Sequence, residues 1–198
     1  MKRQFSLNRM LTIATLVAAS FSASAESFGP TLDRISERGT VFLGHREAAV
    51  PFSFVTLGND EPEGFSVEIC RHVIKAIEEK LGKKLLTQPL VMSANTRVMM
   101  VKTGMADMEC GITSHTVGRT QQAAFSTTIF VSEVKAMVPV ELAGKLLKDM
   151  DNKRVVTTLG TTADRLIKQA SMSRGISLKS QVRRDYELSM AALQNDEA

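Results

Sequence analysis

Apolar and polar positions along this chain alternate between two periods. From Phe65 the apolar residues Phe65, Ile69, Val73, Ile77 and Leu81 recur every four positions, and Ile74 widens the stripe. Glu68, Arg71, Lys75, Glu78 and Glu79 fall outside it, which predicts an amphipathic helix stopped by Gly82. Upstream, Thr31 to Arg38 reads as a short helix capped by Thr31, with Leu32 and Ile35 on one face and Gly39 ending it. Thr40 to Gly44 is a buried strand, followed at its C-terminal end by His45-Arg46-Glu47. Val50 to Val55 is extended, and Gly58 to Gly64 is a polar, hairpin-like loop. Leu85 to Met92 is another strand, and Ser93 and Asn95 can cap a helix running through Arg97, Met100 and Val101 to Gly104. Asp107 to Cys110 is a strand that opens at Gly111 into a loop carrying Thr113, Ser114 and Thr116, with Arg119 just beyond.

Strands alternating with helices predict an α/β fold with parallel sheets. Thr127 to Ser132 and Val134 to Val140 read as extended, and after them the alternation restarts. Leu142 to Met150 is helical, Arg154 to Thr158 a strand, Gly160-Thr161-Thr162 a helix start, Ile176 to Val182 a strand, and Asp185 onward a helix. The restart predicts two lobes, residues 26–138 and 139–198. Residues 1–25 stand apart as a signal peptide. Lys2, Arg3 and Arg9 form its basic start, Met10 to Phe21 its apolar run, and Ala23-Ser24-Ala25 its cleavage signature.

The leader alters the charge balance. The whole chain has 25 basic and 21 acidic residues; without the leader's three basic side chains the balance is 22 against 21. So small an excess argues against nucleic acid as a partner. The two cysteines, Cys70 and Cys110, leave pairing open, and the reading taken is two buried small apolar side chains. The scattered His45, His72 and His115 give no metal-ligand spacing, and no cofactor is implied. Met92, Met99, Met100 and Met105 read as core filler.

The candidate site is the strand-to-loop turn at Gly111, where a strand stops at a glycine and hydroxyl residues line the next turn. Arg119 reads as a structural partner of Glu47 or Asp107, Glu109 as a structural or interlobe carboxylate, and His45 and His115 as packing residues.

Gly44-His-Arg-Glu, Val50-Pro-Phe-Ser-Phe, Glu109-Cys-Gly-Ile-Thr, Ala123-Ala-Phe-Ser and Thr128-Ile-Phe-Val together resemble periplasmic glutamate/aspartate-binding proteins, the solute receptors of polar amino-acid ABC transporters. The resemblance runs from about Thr31 to Tyr186. It implies a type II periplasmic binding fold, two α/β lobes closing like a clamshell over an amino acid. It also implies a periplasmic monomer with two partners, a free acidic amino acid and the membrane permease of an ABC importer. By the resemblance, Arg97 grips the ligand's α-carboxylate and Arg46 its side-chain carboxylate; Thr113 and Ser114 meet its amino and carboxyl ends. Thr161 and Thr162 begin the second-lobe helix whose N–H groups receive the α-carboxylate. Ile112 replaces a serine of this branch, and Tyr186 stands where it carries a histidine facing the side-chain carboxylate. The second lobe is expected to be incomplete, because the family's acidic residue for the ligand ammonium falls beyond Ala198. An enzyme on the same clamshell, of the cyclohexadienyl dehydratase or lytic-transglycosylase-associated kind, and a non-binding remnant are the alternatives.

Overall fold

The computed structural model describes residues 27–198, so the leader expected at 1–25 lies outside the described residues. Three parallel strands form the first sheet in the order β4-β1-β5: β1 is Thr40–His45, β4 Leu86–Val91 and β5 Met108–Cys110. The central strand β1 is apolar almost throughout, with Val41 and Leu43 essentially inaccessible, as befits a strand covered on both faces. Strand β4 is the edge, and it tolerates Pro89 because it pairs on one side only. A two-stranded antiparallel piece, β2 (Ala48–Ala49) with β3 (Ser53–Phe54), follows β1.

Helix α1 spans Pro30–Arg38 and α2 spans Phe65–Leu81. The expected four-residue stripe is only partly the buried one, since Phe65 and Val73 are exposed. Instead α2 turns Val67, Cys70, Ile74, Ile77 and Leu81, spaced three and four apart, toward β1, where Val67 and Ile74 join Ile35, Val41, Leu43 and Cys110 in the core. Gly82 ends α2 in a left-handed conformation, φ 65°. Thr31 does not cap α1. Gly29 holds that position and Pro30 takes the first turn, where its missing N–H costs nothing. The Asp107 side chain, fully buried, ties α1 to the sheet: it accepts from Arg34 at 3.0 Å, from Arg38, and from the Phe42 N–H at 2.8 Å. That network occupies Asp107, so it is not the partner of Arg119.

The cysteines correct the sequence reading. Cys70, on α2, and Cys110, at the end of β5, form a disulfide with Cα atoms 6.2 Å apart. Forty residues separate them in sequence, so only the packing of α2 across the sheet brings them together. Closing a loop of this length stabilises the fold by about 2–4 kcal/mol, chiefly by restricting the unfolded chain. The methionines also divide: Met92 is buried, whereas Met99 and Met105 are exposed.

The second sheet pairs β6 (Arg154–Thr158) with β7 (Lys179–Arg183) in parallel through helix α5, Thr162–Arg174. Helix α6, Tyr186–Gln194, follows. Side-chain caps start both helices, Thr161 accepting from the Asp164 N–H and Asp185 from the Leu188 N–H. Between the sheets, residues 124–139 join no ladder, and one expectation fails: Leu142 to Met150 is not one helix. Two 3-10 turns, Val140–Leu142 and Leu147–Met150, take its place around Gly144 at φ 76°. Between this segment and the face of β6, α5 and α6 lies a largely apolar groove of about 730 Å³. Among the described residues no helix is long and apolar enough to cross a membrane.

Candidate functional site

The first sheet places its chemistry at the carboxyl ends of its strands. His45 and Cys110 are register partners on β1 and β5, so Arg46 and Gly111 leave adjacent strand ends side by side. This is where ligands bind in open parallel sheets. Arg46 is 3% exposed, and its N–H donates to the hydroxyl of the fully buried Ser53 at 2.9 Å. Short helix α3, Arg97–Lys102, follows β4 and begins with Arg97, only 2% exposed. Its start is set by a local exchange in which the Thr96 N–H donates to the Ser93 hydroxyl; Asn95 takes no part in the cap.

Gly111 is small for a geometric reason. A Cβ there would lie 2.3 Å from Glu109 Oε1 and 3.1 Å from Arg46 Cγ. The floor of the site is therefore a glycine pressed between a carboxylate and a guanidinium stem. Arg97 Nη1 stands 4.0 Å from Glu109 Oε1, close enough for attraction and too far for a hydrogen bond.

The second sheet meets this floor through the Gly160 loop. Arg119 lies just within α4, Val117–Thr120, and its Nη1 donates to the Ser114 carbonyl at 2.9 Å. Its Nη2 donates to the Gly160 carbonyl at 3.0 Å. Ser114 Oγ is 3.3 Å from Thr162 Oγ1, and the Arg46 guanidinium lies 5.5 Å from the Tyr186 ring centre. Gly160, at φ 76°, approaches the 94–95 backbone so closely that a Cβ would lie 2.5 Å from Asn95 Cα. The structure thus brings Arg46, Arg97, Thr113, Ser114, Thr162 and Tyr186 around one junction of the two sheets. Thr161 is at the same junction but is occupied: its hydroxyl donates to the Thr158 carbonyl at 2.7 Å while capping α5.

Electrostatically the junction is rich in cations. Burial lowers the pKa of Arg97, Glu109 opposes that shift, and the guanidiniums of Arg119 and Arg46 add to it. Burial likewise lowers that of Arg119, with Arg165 adding to it and Glu109 opposing. An arginine remains charged through such shifts, so the site gathers Arg46, Arg97 and Arg119 around a single carboxylate, Glu109. Several of its covered polar atoms lack a hydrogen-bond partner among the described residues: Arg46 Nη1, Arg97 Nε and Nη1, Glu109 Oε1 and Thr113 Oγ1. Covered groups of this kind are ordinarily paired, and the cluster of unpaired ones makes this junction the candidate site.

A family model for bacterial extracellular solute-binding proteins, family 3, matches residues 41–187. The chain belongs to that family. Solute-binding proteins of family 3 are represented among its relatives by the L-glutamate/L-aspartate-binding protein of Pseudomonas aeruginosa, 31% identical over 191 residues. That match covers 95% of this chain and 63% of the relative. The glutamate/aspartate import solute-binding protein of Salmonella typhimurium is 31% identical over 197 residues, 96% of this chain and 65% of the relative. The chain thus spans rather less than two thirds of the length of these relatives. The solved cysteine-binding protein of Campylobacter jejuni superposes with a TM-score of 0.66 at 21% identity, over 84% of this chain and 64% of that one. At that identity the likeness establishes the fold, a type II periplasmic binding protein. The family and these relatives are described as binding proteins.

Arg119 makes the structural contacts expected of it, but with other partners than Glu47 or Asp107. Its binding partners are backbone carbonyls at Ser114 and Gly160, the latter 41 residues downstream. Only its position eight residues after Gly111, on the far side of the hydroxyl loop, hinted at such a reach.

Proposed function

We propose that this chain captures a polar amino acid with an acidic side chain and presents it to the membrane permease of an ABC importer. The observation that carries the reading is the charge of the junction: three guanidiniums face one carboxylate, and two of them keep covered N–H groups that no acceptor reaches. A ligand with two carboxylates and one ammonium supplies the missing charge. In this reading Arg97 takes the α-carboxylate bidentately and Arg46 the side-chain carboxylate. Thr113, Ser114 and the Thr162 end of α5 line the space between, and the α5 N-terminus adds its own attraction for a carboxylate. Tyr186 covers Arg46 from the second sheet.

The lobes are assigned to residues 26–138 and 139–198, and residues 1–25 to a leader that delivers the protein to the periplasm as a monomer. The protein acts by binding, without a catalytic residue, cofactor or metal. The relatives named for glutamate and aspartate support the acidic ligand. A thermal-shift screen across the twenty amino acids tests the reading. Glutamate and aspartate are expected to raise Tm most, because a ligand that binds only the folded state stabilises it in proportion to its saturation. A shift with arginine or lysine and none with the acids would contradict it, and no shift with any amino acid would mark a non-binding remnant.

A further inference from the structure

The disulfide ends beside the tightest point of the site. Strand β5 is short, Met108–Cys110, and lies at the edge of the first sheet, pairing among the described residues with β1 alone. Its last ladder residue, Cys110 opposite His45, is the one that carries the bond to α2. We propose that the Cys70–Cys110 disulfide is a positioning element for ligand binding. It fixes the direction in which the chain leaves β5, and so couples the redox state of the bond to affinity. The inference rests on the amino-acid reading above for its probe and adds to it a bond lying behind the site, in the core of the first sheet.

Little else holds this end of the strand. Residues 111–115 make no backbone-to-backbone hydrogen bond among the described residues. The next tie is the Arg119 guanidinium, which reaches back to the Ser114 carbonyl at 2.9 Å. Thr113 and Ser114 therefore sit on a span whose upstream anchor is Cys110. An edge strand has a ladder on one side only, and the bond from α2 supplies the restraint that a second neighbouring strand would give. Cys70 is well placed to do so, because it stands within α2, whose Val67 and Ile74 are fixed in the core.

The span has no slack at its first residue. The Gly111 backbone passes so near its neighbours that a Cβ would lie 2.3 Å from Glu109 Oε1 and 3.1 Å from Arg46 Cγ. A small shift at Cys110 is therefore felt by both side chains, and binding groups have to be held to within about 0.5 Å of their productive places.

A brace and a positioning element differ in their consequences. A restraint on the unfolded chain changes stability and leaves the affinity of the folded protein alone. A positioning bond changes affinity, and linkage makes the effect reciprocal: the ligand opposes reduction by the factor that the bond adds to binding.

Calorimetry with L-glutamate, on the oxidised protein and on the same protein held reduced by dithiothreitol, tests the proposal. Reduction splits the S–S bond into two thiols; the two electrons and two protons come from dithiothreitol, which closes to its cyclic disulfide. Concentrated sucrose in both samples favours the compact state, and far-UV circular dichroism checks that the reduced protein stays folded. Reduction is expected to weaken binding roughly tenfold, within the usual span of coupling between two sites. Saturating L-glutamate should then lower the midpoint potential of the disulfide by about 30 mV, the equivalent of that factor for a two-electron couple. Cys70→Ala combined with Cys110→Ala should reproduce the loss of affinity without any reductant. Equal affinities of the oxidised and reduced proteins, with an unmoved midpoint, would leave the bond a brace on the unfolded chain and overturn the proposal. So would a reduced protein that unfolds in sucrose, since its lost binding would report stability alone. If the oxidised protein binds no L-glutamate, the amino-acid reading fails together with this one, a result distinct from an affinity unchanged by reduction.

Discussion

The two sheets of this protein are built to different standards of closure. Around β1, Ile35, Val41, Leu43, Val67, Ile74 and Cys110 form a continuous buried cluster, braced by the Cys70–Cys110 disulfide and the Asp107 network. Around β6 and β7 the buried apolar residues are few, Ile176 and Ala192, while Leu166, Val182, Leu188 and Met190 are 37–44% exposed, and Leu166 and Met190 line an open groove. Yet both sheets contribute to the site. The first sheet and its flanking helices carry the charged groups, Arg46 just after β1, Glu109 on β5, Arg97 on α3 and Arg119 on α4, and the second side adds Gly160, Thr162 and Tyr186. The first side holds its guanidiniums over a deep core, and the second side is packed more lightly.

The largest expected effect breaks the rigid side of that comparison. Arg97→Ala should weaken binding of every amino acid by about 2–5 kcal/mol, roughly 30- to 4,000-fold, because it strands a desolvated carboxylate. Calorimetry on the purified variant measures it, and a loss confined to acidic ligands would contradict the α-carboxylate assignment. Next comes the brace. Replacing both Cys70 and Cys110 by alanine should cost about 3 kcal/mol and lower Tm by roughly 6–12 °C in a calorimetric scan. Hydrogen exchange in the same variant should rise most in α2 and β5, with β6 and β7 little changed.

Breaking the contact between the two halves is the smaller effect. Gly160→Ala adds a Cβ 2.5 Å from Asn95 Cα at a residue with φ 76°. Strain of about 1–3 kcal/mol is expected. The left-handed φ should lower the thermal stability of the free protein whatever the loop touches, and the clash with the 94–95 backbone should add a loss of ligand affinity. A loss of stability without a loss of affinity would place the clash elsewhere.

Much of the rigid half was legible in sequence because local rules decided it. The helical extent of α2, its Gly82 stop and the apolar run of β1 each carry their own instruction, although the buried face of α2 runs through Val67 and Ile74 and leaves Phe65 and Val73 exposed. So did the βαβ restart around Gly160, with Thr161 supplying the α5 cap. Arg46 and Arg97 could be marked because each falls at the end or start of a readable element. What sequence could not supply were pairings set by tertiary packing. The Cys70–Cys110 bond depends on α2 crossing the sheet, and the reach of Arg119 to Gly160 depends on two distant loops meeting. Whether the extended, apolar run from Thr127 onward would join a sheet was not legible for the same reason, and no strand pairs with it among the described residues.

The central claim is that the cation-rich junction selects a second carboxylate on the ligand, and Arg46 is its most direct probe. Calorimetry should measure L-glutamate and L-glutamine, ligands of equal size that differ in that charge, against the wild type and Arg46→Gln. The wild type is expected to prefer glutamate, and the variant should lose most of that preference while still binding through Arg97. An unchanged ratio of the two affinities in Arg46→Gln would contradict the account.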